Sequence, residues 1–166
     1  MTGTDLRLRE MLDRQDIYEV LTRYCRGVDR GDADLIRSVY HEDAIDDHGI
    51  WKGPGVEFAD WIVKVLKDTK QCVHLISNVR IELHGDAADS ETYCLSINDD
   101  GTRHQTVYVR YIDRFERRQG EWKIASRLVV FDISRCEPCT EPYGAGLGEL
   151  LTWGKKNRAD PSYRNR

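Results

Sequence analysis

The stretch 72-CVHLISNVRIELHGDAADSETYCLSINDDGTRHQTVYVRYIDRFERRQGEWKIASRLVVFDIS-134 decides the fold. Apolar residues recur in it at every second position: Val79, Ile81 and Leu83; then Tyr93, Leu95 and Ile97; then Val107, Val109, Tyr111 and Phe115; then Trp122, Ile124, Leu128 and Val130. Side chains of an extended chain alternate between the two faces of a sheet, so this period predicts four half-buried strands with those residues facing the core. Gly85-Asp86, Asp99-Asp100-Gly101 and Gln119-Gly120 separate the runs at hairpin lengths and predict an antiparallel meander. The first run breaks phase. Carrying its alternation backward from Val79 leaves His74 and Ile76 on the wrong face, and one extra residue near Ser77-Asn78, a β-bulge, reconciles the two halves.

Upstream the period is that of a helix. Ile17, Val20, Leu21, Tyr24 and Val28 form one helical face behind Asp13 as N-cap, with Gly27 and Gly31 as breakers. Leu35, Ile36, Val39 and Tyr40 predict a short second helix capped by Asp32. Phe58, Trp61, Ile62, Val65 and Leu66 predict a third behind Pro54, and a strand or hairpin is expected over 44–51. Helices followed by a meander make an α+β fold.

At 166 residues the chain has the size of one domain, and 40% hydrophobic with 33% charged residues describes a packed water-facing globule. Apolar runs are far too short to span a bilayer, and the N-terminus has no signal-like apolar segment, so a cytoplasmic protein without membrane contact is expected. A net charge of −4 argues against a nucleic-acid partner. Residues 1–134 are expected to form the domain and 135–166 an extended tail, basic over 155–166, that docks on a neighbouring subunit. The five cysteines, Cys25, Cys72, Cys94, Cys136 and Cys139, are too few for a disulfide framework. Cys136-Glu137-Pro138-Cys139 opens no helix and has no second C-x-x-C, so neither redox nor zinc chemistry is expected there.

Tyr24-Cys25-Arg26-Gly27-Val28-Asp29 closing helix one, His74 opening a strand, and Trp122-Lys123-Ile124 preceding Arg127 occur in an order that resembles the SnoaL-like branch of the nuclear-transport-factor-2-like superfamily. The Asp29-Arg30-Gly31-Asp32 turn, the Asp43-Ala44 pair and the Trp51-Lys52-Gly53-Pro54 entry to helix three strengthen the likeness, which covers roughly 12–134. It implies a cone, a strongly curved sheet around three helices with a ligand cavity at one end. Within the branch the chain resembles hexachlorocyclohexane dehydrochlorinase and bile-acid 7α-dehydratase and, more distantly, scytalone dehydratase. Those enzymes imply catalytic roles for Asp29, His74, Arg127 and Tyr24; His104 matches no second catalytic histidine. Polyketide cyclases and the assembly β-subunits of ring-hydroxylating dioxygenases share the fold.

Chemistry gives the set its own logic. Imidazole ordinarily titrates near neutrality, which suits His74 to accept a proton; a carboxylate such as Asp29 on its other nitrogen fixes the tautomer. A guanidinium and a phenol, Arg127 and Tyr24, can stabilise developing negative charge. Each has a structural reading too: Tyr24 as core, Asp29 as a turn carboxylate, His74 as a satisfied strand histidine, and Arg127 as the partner of Asp113. His41, His48 and His84 lie in turn-like settings and are expected to be solvated. The sequence therefore points to a cofactor-free, metal-free lyase or isomerase abstracting a carbon-bound proton from a small hydrophobic, cyclic substrate, uncharged or singly anionic. Trp61, Leu66, Leu95, Val109 and Phe131 are the candidate lining, a homo-oligomer, a trimer, is expected, and the alternative is a noncatalytic binding or assembly subunit.

Overall fold

The computed structural model describes residues 3–139 and 148–163. Three helices come first: α1 (Gly3–Arg30), α2 (Ala33–Arg37) and, after strands β1 (Tyr40–Asp47) and β2 (Lys52–Pro54), α3 (Gly55–Val65). The meander follows as β3 (Gln71–His84), β4 (Ala87–Asp99), β5 (Arg103–Arg118) and β6 (Glu121–Pro138). The sheet runs β2-β1-β6-β5-β4-β3 and is not closed; β1 lies parallel to β6 and every other pairing is antiparallel. This is the expected α+β cone, with the helices packed on one face of a mixed sheet.

Helix α1 starts well before Asp13. Its first turns are rich in good helix formers but leave Leu6, Leu8, Met11 and Leu12 exposed, so no buried stripe announces them in the sequence. Asp13 is consequently not a cap. It is a buried helix-interior carboxylate that accepts from Trp122 Nε1 at 3.1 Å and pairs with Arg117. Nor does Gly27 break the helix: a Cβ there would stand 2.7 Å from Ile36 Cγ1, so glycine permits α2 to approach. Gly31, at φ +60°, ends α1. Asp32 then caps α2 by accepting from Leu35 N–H at 3.2 Å. Tyr40 belongs to β1 rather than to the second helix.

Three irregularities aim side chains. In β3 the register slips between Ser77 and Arg80, with Asn78 at φ 47°, so Cys72, His74 and Ile76 and then Val79, Ile81 and Leu83 all face the helices. In β6, Phe115 pairs with Ile124 and Arg114 with Ser126, leaving Ala125 as an extra residue. That bulge reverses the expected phase: Arg127 and Val129 are buried, whereas Leu128 is exposed. A second slip in β6 falls at Asp132. In β4 the inward residues are Ala88, Ser90, Thr92, Cys94 and Ser96, and the expected core face of Tyr93, Leu95 and Ile97 is turned outward. The outer face of the sheet thus carries Leu75, Tyr93, Leu95, Tyr108 and Ile133, most of them well exposed.

Strand β6 runs past 134 to Pro138, and residues 140–147 of the expected tail lie outside the described residues. The later part lies against its own chain: Tyr163 Oη donates to Asp32 at 2.9 Å, and Gln71 Nε2 donates to the Gly154 carbonyl at 2.7 Å. Among the described residues no helix is long and apolar enough to cross a membrane.

Candidate active site

The last turn of α1 delivers Asp29 to the inner face of β3, where the bulge at Asn78 has turned His74 toward the helices. Asp29 Oδ1 lies 2.6 Å from His74 Nδ1, and Oδ2 accepts the His74 backbone N–H at 3.2 Å. One carboxylate therefore fixes both the ring and its strand. The two side chains are 9% and 12% exposed, so the pair is nearly dry. Burial works against a charge on the imidazole, but the hydrogen bond with Asp29, aided by Cys72, outweighs it and lifts the pKa of His74 to about 10. At neutral pH the pair is an imidazolium facing a carboxylate.

A groove of about 450 Å³ between α1 and β3 opens onto this pair. Arg23, Arg26 and Arg30 stand along it, opposite Ile76. Arg26 lies over the Tyr163 ring at 4.8 Å, and its buried Nε has no hydrogen-bond partner among the described residues. The tail also brings Lys156 to this end of the molecule. Its amine donates to the Leu66 carbonyl; burial lowers its pKa, against the pull of Cys72 and Asp29.

Tyr24 and Arg127 form a second assembly deeper in the core. The Arg127 guanidinium lies 4.2 Å from the Tyr24 ring centroid and 4.1 Å from that of Tyr111. It makes two hydrogen bonds of 2.7 Å to the Asp113 carboxylate, with both side chains 0% exposed. The structural partner anticipated for Arg127 is thus present; burial raises the pKa of Asp113 despite the facing guanidinium. Between the two assemblies sits Cys94, whose Sγ accepts from Tyr111 Oη at 3.3 Å. A hydrogen bond from Cys25 comes first in pulling the Cys94 thiol down to about 6; burial opposes it, and the charge on His74 assists.

His48 is not solvated. Its Nε2 lies 3.1 Å from Tyr24 Oη, its Nδ1 bonds to buried Asp46, and its ring stacks on Phe58 at 4.3 Å between centroids. Tyr40 donates to the other Asp46 oxygen at 2.7 Å. The Tyr24 hydroxyl is thereby held by a second imidazole–carboxylate pair, which a period of two through Ala44, Asp46 and His48 could have signalled. His41 is likewise buried, its Nε2 2.9 Å from the Glu116 carbonyl; of these three histidines only His84, beside Asp89, is in solvent. The turn-like surroundings misled because β1 continues through them to Asp47.

The candidate lining divides. Val109 is buried on the inner face, and Phe131, its register partner, is 55% exposed. Trp61 is half-buried in an aromatic cluster with Trp51 and Phe58, and Leu66 follows α3. Leu95 pairs with Leu75 and Tyr108 on the face opposite His74, so it cannot line a cavity with the dyad; the alternation was assigned to the wrong face because β4 presents small polar residues inward.

Comparison with known proteins agrees with this architecture. Rv2910c of Mycobacterium tuberculosis and Mb2934c of Mycobacterium bovis, both uncharacterized proteins, are 27% identical over 129 residues, covering 74% of this chain and 88% of theirs. A type 2 hexachlorocyclohexane dehydrochlorinase superposes with a TM-score of 0.72 at 23% identity, over 86% of this chain and 99% of its own. A Novosphingobium aromaticivorans protein assigned as a scytalone dehydratase gives 0.70 at 18%, over 86% and 97%. One assigned as an aromatic ring hydroxylase, from the same species, gives 0.68 at 23%, over 78% and 94%. At these identities the solved structures establish the fold. Residues 9–128, well over half of the chain, match the SnoaL-like domain model, and the chain belongs to that family.

Proposed function

We propose that the protein is a cofactor-free lyase or isomerase that takes a carbon-bound proton from a small cyclic, largely hydrophobic substrate through Asp29 and His74. The observation that carries the reading is the 2.6 Å contact between Asp29 Oδ1 and His74 Nδ1 at the groove. The contact leaves Nε2 as the atom that meets substrate, with the carboxylate stabilising the imidazolium formed when the proton arrives. The dehydrochlorinase and dehydratase likenesses support the reaction class, and Arg23, Arg26 and Arg30 favour a ring bearing one negative charge. Tyr24, held by His48 and Arg127, acts as a positioning residue behind the site.

Because His74 holds its proton up to about pH 10, the base form is scarce at neutrality. With substrate in hand, kcat/KM should climb close to tenfold per pH unit from 7 toward 9. His74→Ala and Asp29→Asn should each lose about 10²- to 10⁴-fold in rate while remaining folded. A flat or falling pH profile, or variants as active as the parent, would remove the base assignment.

The exposed apolar outer face, with Leu75, Tyr93, Tyr108 and Ile133, supports self-association in the cytoplasm, a trimer being the form proposed. The same face is the feature that favours the second reading, a noncatalytic assembly subunit. In that case the dyad variants would leave the partner enzyme's turnover unaltered.

A further inference from the structure

We infer that the chain carries a divalent transition-metal site, suited to Zn²⁺, made by Asp99, His104 and Cys139. Three ligand types meet there from three elements: Asp99 ends β4, His104 opens β5 and Cys139 follows β6. Their ligand atoms all lie within 4.8 Å of one another. His104 Nε2 is 3.3 Å from Cys139 Sγ and 3.5 Å from Asp99 Oδ2.

A cation would be held by all three ligand atoms at once. Tetrahedral Zn²⁺, with bonds of about 2.0–2.1 Å to nitrogen, 2.3 Å to sulfur and 2.0–2.2 Å to oxygen, sets its nitrogen and sulfur ligands about 3.6 Å apart and nitrogen and oxygen about 3.4 Å apart. The observed spacings differ from those edges by a few tenths of an ångström.

The ligands are also oriented from behind, as metal ligands are. Asp99 Oδ1 accepts the Gly101 N–H at 2.6 Å, which leaves Oδ2 for the metal. Asp100 Oδ1 accepts from Thr102 N–H, Thr102 Oγ1 and Arg103 N–H, fixing the hairpin that presents His104. The Cys139 N–H donates to the Thr102 carbonyl at 2.8 Å, seating the end of β6 on that hairpin. Water completes the coordination. The C-x-x-C at 136–139 thus needs no second copy to contribute a metal ligand, because the β4–β5 hairpin supplies the others.

The test uses the full-length reduced protein titrated with Co²⁺, whose thiolate charge-transfer band reports a sulfur ligand, and then with Zn²⁺ to displace it. The site predicts saturation near one equivalent and a rise in melting temperature. Cys139→Ser should abolish the band, and His104→Ala should weaken binding at least about 100-fold. Both residues are at least partly exposed, so both variants should fold, as their melts without metal will report. Cys72→Ser is the control, because Asp29, Cys72 and His74 form the other comparable cluster among the described residues. No band at one equivalent, a band that survives Cys139→Ser, or one lost in Cys72→Ser would overturn the site.

Discussion

Asp29→Asn tests the dyad without any knowledge of the substrate. In the native protein His74 titrates at about 10 against an ordinary 6.5, a gap worth about 5 kcal/mol at 1.36 kcal/mol per pH unit. The folded-state pKa is the raised one, so this stability is fully present below about pH 6.5 and is lost as pH climbs toward 10. Between pH 7 and 9 the native state holds a proton that the unfolded chain releases, and stability falls by about 3 kcal/mol from this group alone. Asparagine keeps the shape of Asp29 but removes its charge, leaving a buried imidazole with no reason to stay protonated. The fall should then vanish. For a domain of this size it amounts to a melting-temperature difference of about 6–12 °C between pH 7 and 9, present in the parent and absent in the variant. The depressed Cys94 thiol tilts stability the other way over part of this range and loses part of its depression when His74 is discharged, so the melts are read beside a titration of the ring itself. A direct assay is the NMR titration of the His74 ring. A parent midpoint near 6.5, or pH slopes that coincide in parent and variant, would refute the ion-pair reasoning.

Asp113→Ala strands the Arg127 guanidinium in the core and should cost about 3–5 kcal/mol in urea unfolding; a loss under 1 kcal/mol would show that the pair is dispensable. Gly27→Ala places a methyl group 2.7 Å from Ile36 Cγ1 and 3.0 Å from its backbone nitrogen, and should destabilise by about 1–3 kcal/mol, read as a lower denaturant midpoint at unchanged slope. Leu75→Glu puts a charge on the exposed outer face; light scattering should show a smaller particle with unaltered circular dichroism, whereas an unchanged mass would move the subunit contact elsewhere.

The meander and the β3 bulge were legible because both are written in alternation, and the conflict between His74 and Val79 has a local solution. Faces were less legible. Tyr93, Leu95 and Ile97 look like a core row, yet β4 fills its inner side with Ser90, Thr92, Cys94 and Ser96, and periodicity cannot tell which apolar face meets the helices. Ala125 has no side-chain signature as a bulge, so the inward turn of Arg127 is visible only in the β5–β6 register. Of the site, Asp29 and His74 were found through the order of motifs in which they stand. His48 and Asp46 were missed because their turn-like surroundings hid the strand that continues through them, Cys94 and Lys156 because each acts through partners distant in sequence, and the tail that brings Lys156 back carries no periodic pattern.

The parallel seam between β1 and β6 has a consequence for how the chain reaches its native state. Asp46 pairs with Arg127 and Asp47 with Leu128, so the first strand made waits for the last before it gains its principal neighbour. Until then β1 has only the three-residue β2 as partner, and α1 lacks the β6 residues it packs against. Closing so long a loop early carries an entropic cost that local contacts do not offset, which raises contact order and slows the barrier-crossing step. During synthesis the β3–β5 hairpins can pair as they emerge, but the helical half stays open until β6 leaves the ribosome, and a chain truncated before Glu121 presents β1 as an unprotected edge for association.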